Sequence, residues 1–138
     1  MKNSLVSIVM SVYNSENSIA KSIESLVRQK YENTEILLMD DCSTDNTFKI
    51  CKEYDSVKFI SSPKTTVYGS RNLGVRESNG EFLAFIDSDC IAHVSWLKNG
   101  IGKLKKSVIV SGEILPQESN NILYLYELIF KRSRLKQA

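Results

Sequence analysis

Five short apolar runs separated by polar turns organise the first 110 residues of the chain. They occupy residues 6–10, 35–39, 57–60, 82–86 and 108–110. At least three are apolar at every position and do not alternate with polar residues, which is typical of strands that are buried on both faces. The pattern therefore predicts five buried β-strands.

Helical periodicity fills the intervals between these runs. The first interval has apolar residues at i, i+4, i+7 and i+8, the stripe of an amphipathic helix: Ile19, Ile23, Leu26 and Val27. A second helix is predicted after residues 43–45, with Ser43, Thr44 or Asp45 as its N-cap and with Phe48 and Cys51 facing inward. Further helices are predicted at 70–76 and at 95–104, the last with a buried face of Trp96, Leu97, Ile101 and Leu104.

Strands that alternate with helices predict an α/β, Rossmann-like architecture, with a mostly parallel central sheet flanked by helices on both sides. In such sheets, ligands bind beyond the carboxyl ends of the strands. The chain has 138 residues, which fits a single domain of this kind.

Acidic residues cluster at two of these strand ends. Asp40, Asp41 and Asp45 follow the second run, and Asp87 and Asp89 follow the fourth, so that these two clusters hold five of the six aspartates. Acids this close repel one another unless a cation joins them. Two carboxylates one residue apart suit Mn²⁺ or Mg²⁺ bridging the phosphates of a ligand, which predicts such a site at Asp87 and Asp89.

Composition and motifs exclude several other classes. The net charge is +2, but four basic residues in the last eight leave −2 for the rest, so a nucleic-acid surface in the body of the chain is not expected. The sequence has no phosphate-binding Gly-rich loop with Lys, no Gly-x-Gly-x-x-Gly and no Gly-x-Ser-x-Gly. The single histidine, His93, is predicted to be a loop or helix-cap residue. Cys42, Cys51 and Cys90 have no metal-type spacing and, with no apolar leader at Met1, predict reduced cytosolic thiols.

The C-terminal segment is apolar and then basic. Residues 122–130 are apolar on nearly every side of a helix but too few to span a bilayer. We expect residues 116–138 to form an amphipathic, basic helix that follows a nucleotide-binding unit at 1–115. Its partner would be missing polypeptide, a second copy of the chain, or a membrane surface.

Four ordered motifs resemble one known family. They are "VSIVMSVYN", the acidic-edged helix, "SLVRQKYENTEILLMDDCSTDNT" and "SRNLGVRESNGEFLAFIDSD". In kind and spacing they resemble the nucleotide-sugar-dependent glycosyltransferases of family 2, which have the GT-A fold. The resemblance covers about residues 5–110. It implies transfer of a sugar from a nucleoside-diphosphate sugar to a hydroxyl group of a glycan, lipid or protein. A UDP-sugar is the first choice of donor. The transfer would depend on a metal ion and would invert the configuration at the anomeric carbon.

The resemblance also implies roles for individual residues. Tyr13 would stack on the nucleotide base, with Ser11 near the base and Asp40 or Asp41 accepting a hydrogen bond from it. Arg71 would lie near the diphosphate. Asp87 would contact the ribose or a metal-bound water, and Asp89 would bind the metal directly. Asn72 and Gly74 would be structural, and Cys42 stands where many relatives have glycine.

A general base for the acceptor is not identified in this chain. In the family it usually lies in a later segment, and Glu113, Glu118 and Glu127 are in no matching motif. We therefore expect the nucleotide-binding part of a longer enzyme or a short relative, cytoplasmic or peripheral at the cytoplasmic membrane face. Two alternatives stay open: a nucleotide-binding or assembly module without turnover, and a phosphoacceptor signalling domain.

Overall fold

The computed structural model describes residues 3–104 and 109–112 and the backbone of residues 127–131. All five predicted strands and all four predicted helices are present within these ranges. The expectation that every strand is buried is wrong for the third and the fifth, which lie at the two edges of the sheet and contain no buried residue. The elements in chain order are β1 (Val6–Val12), α1 (Ile19–Val27), β2 (Thr34–Asp40), α2 (Thr47–Cys51), β3 (Val57–Ser61), α3 (Val67–Glu77), β4 (Phe82–Phe85), α4 (Trp96–Lys103), β5 (Ile109–Gly112) and β6 (Glu127–Lys131).

The strands form one mixed sheet in the order β3-β2-β1-β4-β6-β5. The first four positions are parallel, whereas β6 runs antiparallel to both β4 and β5. The chain winds outward from β1 to β3 and then returns to place β4 on the other side of β1. This reversal opens a crevice at the carboxyl ends of β1 and β4, where ligands bind in sheets of this kind.

Helices cover both faces of the sheet. The buried side chains of β1 point alternately to the two sides, so each face needs a helical layer to cover it. Ile8 and Met10 face one core, which also contains the inward residues of α1, α2 and α4. Val9 faces a smaller core on the opposite side with Leu37 and Met39, against which Leu73 of α3 packs. The predicted inward face of α4 is confirmed, since all four of its named residues are buried.

Two residues predicted to face inward lie at the surface. Val27 is 51% exposed, because at ~100° per residue it lies roughly 80° from Ile19 around the helix axis. Phe48 is 45% exposed. Its ring packs on Phe59, with centroids 5.0 Å apart, while the short helix α2 buries Cys51 instead.

The N-cap of α2 also differs from the prediction, because Asn46 occupies that position and not one of residues 43–45. The Asp45 carboxylate nevertheless accepts a hydrogen bond from the Thr47 N–H at 3.0 Å. Burial alone would raise the pKa of Asp45, but hydrogen bonds from Thr47 and Glu16 outweigh it and lower that pKa.

The prediction of a C-terminal helix is wrong for Glu127–Lys131, which is strand β6. A short run that is apolar on all sides fits a buried strand as well as a helix, and periodicity cannot separate the two. The rest of residues 116–138, and the expected boundary at 115, lie outside the described residues. Among the helices of the described ranges, none is long and apolar enough to cross a bilayer.

Candidate nucleotide-sugar site

A cleft of about 500 Å³ opens at the carboxyl ends of β1, β2 and β4. The register fixes this convergence, because Val12 pairs with Asp40 and Val9 pairs with Phe85 at the same edge of the sheet. Helix α3 and the entry to α1 form the side walls. The lining residues are Ser11, Val12, Tyr13, Asn14, Ser15, Asn17, Ser18, Asp41, Val67, Ser70, Arg71, Asp87, Ser88 and Asp89.

Six of the seven residues singled out from the sequence line this cleft, and Asp40 does not. Asp40 is buried and its carboxylate accepts a hydrogen bond from the Ser43 N–H. Side chains alternate along a strand, so Asp41 points the other way. Its Oδ1 accepts from the Thr65 N–H at 2.7 Å. Of the two acids, Asp41 therefore reaches the cleft and Asp40 shapes the turn behind it.

Tyr13 presents its ring to the cleft from a tightly held turn. The side chain is 56% exposed, and the next residue, Asn14, has a positive φ of 43°. The Asn14 N–H donates to Ser43 Oγ at 2.9 Å, and Asn14 Oδ1 accepts from the Thr44 N–H at 2.8 Å. These bonds tie the end of β1 to the turn after β2, and they assign Asn14 a role that sequence reasoning missed.

Arg71 and Asp87 form an ion pair inside the cleft. Nη2 of the guanidinium lies 2.5 Å from Asp87 Oδ1, and each side chain is 31% exposed. Arg71 Nε is buried and has no hydrogen-bond partner among the described residues. Both charges of the pair are therefore partly exposed to solvent at one wall of the cleft.

Asp87, Asp89 and Cys90 form a candidate metal group. One ligand atom from each lies within 4.8 Å of the others. Cys90 Sγ is 3.7 Å from Asp89 Oδ1. Sequence reasoning found the two carboxylates but not Cys90, because adjacency to Asp89 is not a recognised metal-binding spacing.

A row of serines from the start of α1 holds the segment between the two carboxylates. Ser18 and Ser22 each donate a hydrogen bond to the Ser88 carbonyl, at 2.9 and 2.8 Å. Ser15 Oγ lies 2.8 Å from Ser88 Oγ. Sequence reasoning also missed these serines, although their spacing of three and four residues places them on one helix face.

Two of the cysteines, Cys51 and Cys42, have different environments. Burial, with the charges of Asp40 and Asp45 nearby, raises the pKa of Cys51 to about 11, so this thiol stays protonated at neutral pH. Cys42 is exposed and has a φ of 63°. That left-handed conformation favours glycine, which gives a physical reason for the glycine expected there from the resemblance.

Comparison with known proteins decides the family. The sequence matches the description "Glycosyl transferase family 2" over residues 7–137. The chain belongs to glycosyltransferase family 2. The prediction of this family from the four motifs is therefore confirmed.

Curated members of family 2 share about a third of their aligned residues with this chain. The chain is 36% identical over 129 residues to the Escherichia coli protein "UDP-Glc:alpha-D-GlcNAc-diphosphoundecaprenol beta-1,3-glucosyltransferase WfgD", which covers 91% of this chain and 46% of that protein. It is 33% identical over 106 residues to "Glycosyltransferase AglE" of Haloferax volcanii, covering 72% of this chain and 35% of the relative. The chain thus spans less than half the length of these relatives.

Two solved structures have the same fold as this chain. S. aureus TarS 1-349 in complex with UDP-GlcNAc superposes with a TM-score of 0.75 at 25% identity, covering 96% of this chain and 46% of TarS 1-349. The mannosyltransferase PcManGT of Pyrobaculum calidifontis, in complex with GDP-Man and Mn²⁺, superposes with a TM-score of 0.73 at 16% identity, covering 96% and 46%. The predicted α/β, GT-A architecture is confirmed.

Proposed function

We propose that the cleft binds a nucleoside-diphosphate sugar together with Mn²⁺ or Mg²⁺, and that the chain supplies the donor side of an inverting transfer to an acceptor hydroxyl. One observation carries the proposal: Tyr13, Asp41, Arg71, Asp87 and Asp89 line a single cleft. An aromatic face, a hydrogen-bond acceptor, a guanidinium and a carboxylate pair are the groups that a base, a diphosphate and a metal ion require.

Each residue has a separate task in this proposal. The exposed ring of Tyr13 would stack on the base, and Asp41 would accept a hydrogen bond from a ring N–H of uracil. Arg71 would donate to diphosphate oxygens through its guanidinium. Among candidate donors we rank a UDP-sugar first and GDP- and dTDP-sugars after it.

The donor set fits a hard divalent cation. Asp87 and Asp89 offer the carboxylate oxygens that Mn²⁺ and Mg²⁺ take as ligands, whereas the Cys90 thiol is a softer donor that these ions take less readily. When bound, the cation would offset the negative charge that develops on the departing nucleoside diphosphate. Asp87 and Asp89 would hold it, and Asp87 would exchange its ion pair with Arg71 for this contact or for the ribose.

Calorimetry with UDP, with and without Mn²⁺, tests the donor site. We expect UDP to bind more tightly with Mn²⁺ in the parent chain, and Asp89→Asn to abolish the Mn²⁺-dependent part while the circular dichroism spectrum stays unchanged. Asp55→Asn is the matched control, because Asp55 is exposed and lies outside the cleft. Equal Mn²⁺ dependence in the parent and in Asp89→Asn would refute the assigned metal ligand.

A second assay separates the transferase from the alternative, a nucleotide-binding module without turnover. The chain is incubated with UDP-glucose or UDP-GlcNAc and Mn²⁺, and released UDP is measured over time. Binding with steady release supports a transferase that hydrolyses its donor when no acceptor is present. Binding without any release supports the module.

A further inference from the structure

The polar side of α1 is continuous, and it faces the segment that carries the candidate metal ligands. Four of its hydrogen-bonding side chains follow one another at intervals of three or four residues: Ser18, Ser22, Ser25 and Gln29. Residues with this spacing share one face of a helix. We name this set the serine face.

The serine face contacts residues 88–97 in sequence order. Ser18 and Ser22 donate to the Ser88 carbonyl, at 2.9 and 2.8 Å. One turn further along, Ser25 Oγ accepts a hydrogen bond from the Ala92 N–H at 3.0 Å. At the end of the helix, the Gln29 amide donates to the His93 carbonyl at 2.8 Å and accepts from the Leu97 N–H at 3.1 Å. Hydrogen bonds therefore hold the segment after β4 against α1 at several positions between Ser88 and Leu97.

The first of these contacts holds the turn between the two carboxylates. The Cys90 N–H donates to the Asp87 carbonyl at 3.1 Å, so that residues 87–90 form a turn with Ser88 and Asp89 at its centre. The Ser88 carbonyl accepts two hydroxyl donors, which use both of its lone pairs. This fixes the plane of the peptide between Ser88 and Asp89, from which the Asp89 side chain departs.

The sheet does not provide this restraint, because the pairing of β4 with β1 ends at Phe85. Beyond it, the Ile86 N–H reaches the Val9 carbonyl only at 3.4 Å. Ser22 is 1% exposed, so its hydroxyl would lose a buried partner if the turn moved. Leaving a buried donor without a partner is unfavourable.

We propose that Ser18 and Ser22 are positioning residues for the metal ligands, holding the backbone of the 87–90 turn in place so that the Asp87 and Asp89 side chains start from fixed positions when a cation binds. The inference rests on the proposed function for the identity of the cation and nucleotide. The orientation of ligands by hydrogen bonds from outside the coordination sphere is worth about 10- to 100-fold in metal affinity. The serine face would orient the two carboxylates indirectly, by hydrogen bonding to the backbone carbonyl of Ser88 between them.

The test compares three variants in the full chain. Ser18→Ala with Ser22→Ala removes both donors, Ser18→Thr keeps the hydroxyl at the more accessible position, and Ser78→Ala is the matched control. Ser78 is buried and donates to the Val75 carbonyl at 2.7 Å, but it lies outside the cleft lining. Mn²⁺ affinity is measured by electron paramagnetic resonance, and UDP affinity by calorimetry with and without Mn²⁺.

We expect the double variant to lose about tenfold or more in Mn²⁺ affinity. Ser18→Thr should keep the Mn²⁺ affinity of the parent, and Ser78→Ala should match the parent in both affinities. Mn²⁺ affinity within twofold of the parent in the double variant overturns the proposal. So does a loss in Ser18→Thr or Ser78→Ala as large as that in the double variant, because the loss would then not depend on the two hydroxyl donors to Ser88.

A ligand-free measurement separates this inference from the proposed function. Amide hydrogen exchange at Cys90 should be at least tenfold faster in the double variant, whatever the cleft binds, whereas the Ala92 N–H keeps its bond to Ser25 Oγ and serves as an internal reference. If the parent binds neither Mn²⁺ nor UDP, the proposed function fails and exchange alone decides whether the serine face holds the turn. Unchanged exchange rates overturn the inference, and if the double variant does not fold, Ser18→Ala alone is measured against the same criteria.

Discussion

At the scale of single residues, the position of Tyr13 in the cleft has a direct consequence for nucleotide affinity. Its ring is more than half exposed, so Tyr13→Ala removes little buried surface and should leave the free energy of unfolding nearly unchanged. Stacking of a base on an aromatic ring is worth about 1–3 kcal/mol. We therefore expect UDP affinity, measured by calorimetry, to fall by about 5- to 150-fold.

Tyr68 offers a matched control for this measurement. It is 75% exposed at the start of α3 and does not line the cleft. Tyr68→Ala should bind UDP as the parent does. A similar loss in both variants would contradict the stacking role of Tyr13.

Glu35 is a structural carboxylate at the opposite edge of the sheet. Its Oε1 accepts from Ser7 Oγ at 2.5 Å and from the Asn79 N–H at 2.6 Å. Burial alone would raise the pKa of Glu35, but these hydrogen bonds outweigh it and lower that pKa. Glu35 therefore joins β1 and β2 to the turn that leads into β4, which is a task in folding and not in catalysis.

The lowered pKa of Glu35 predicts a pH-dependent stability with a definite sign. The stabilisation is fully present above the carboxyl pKa of the unfolded chain and is lost as the pH falls through the lower native value. Glu35→Gln should cost about 1 kcal/mol in urea unfolding at pH 7, and the difference from the parent should shrink in acid. The exposed Glu32 provides the control, Glu32→Gln, and a constant difference at every pH would contradict this assignment.

At the scale of elements, α3 depends on its close approach to the sheet at Gly74. A Cβ at this position would lie 2.3 Å from Val9 Cγ1 and 3.1 Å from Met39 Cγ. Gly74→Ala should therefore destabilise the chain by about 1–3 kcal/mol through overpacking. Because α3 also carries Arg71, the same shift should weaken UDP binding.

At Gly102 in α4, substitution by alanine should have the opposite effect on stability. A Cβ there meets no atom within 4 Å, and alanine is the better helix former by about 1 kcal/mol. Gly102→Ala should stabilise the chain slightly in the same urea experiment. Destabilisation by both substitutions would show that helix α4 is also sensitive to added volume.

Elements with a regular hydrophobic pattern could be predicted from the sequence. Features that depend on the packing of distant segments could not. Continuous apolar runs identified β1 to β5, and the stripe in α4 identified its buried face correctly. No role was predicted for the serines of α1, because serine periodicity alone does not reveal a buried partner segment. The run at 122–130 was assigned to a helix because a short, uniformly apolar stretch has no period that separates helix from strand.

Within the candidate site, residue type was easier to predict than orientation. The motifs named six residues that do line the cleft, and the side-chain alternation of β2 then separated Asp41 from Asp40. The link from the serine face to Ser88 depends on contacts between residues about 70 positions apart. Such contacts follow from the assembled fold and leave no local signal.

At the scale of the whole molecule, ligand binding should stabilise the fold by mass action. At a UDP concentration of 100 times its Kd in the presence of Mn²⁺, the gain is about 2.7 kcal/mol, which corresponds to roughly 10 °C in Tm for a chain of this size. Differential scanning fluorimetry measures the shift. Asp89→Asn should lose the Mn²⁺-dependent part of it, and a parent Tm that is insensitive to both ligands would contradict the proposed donor site.

The order of the strands along the chain determines when the cleft can form during translation. The cleft takes its walls from segments that extend from Ser11 to Asp89, and β4 can pair with β1 only after residues 82–85 have been translated. A nascent chain that ends after β3 would contain Tyr13 and Asp41 but neither Asp87 nor Asp89. Under the proposed function, nucleotide recognition should therefore begin only when the segment after β4 has left the exit tunnel and completed the cleft.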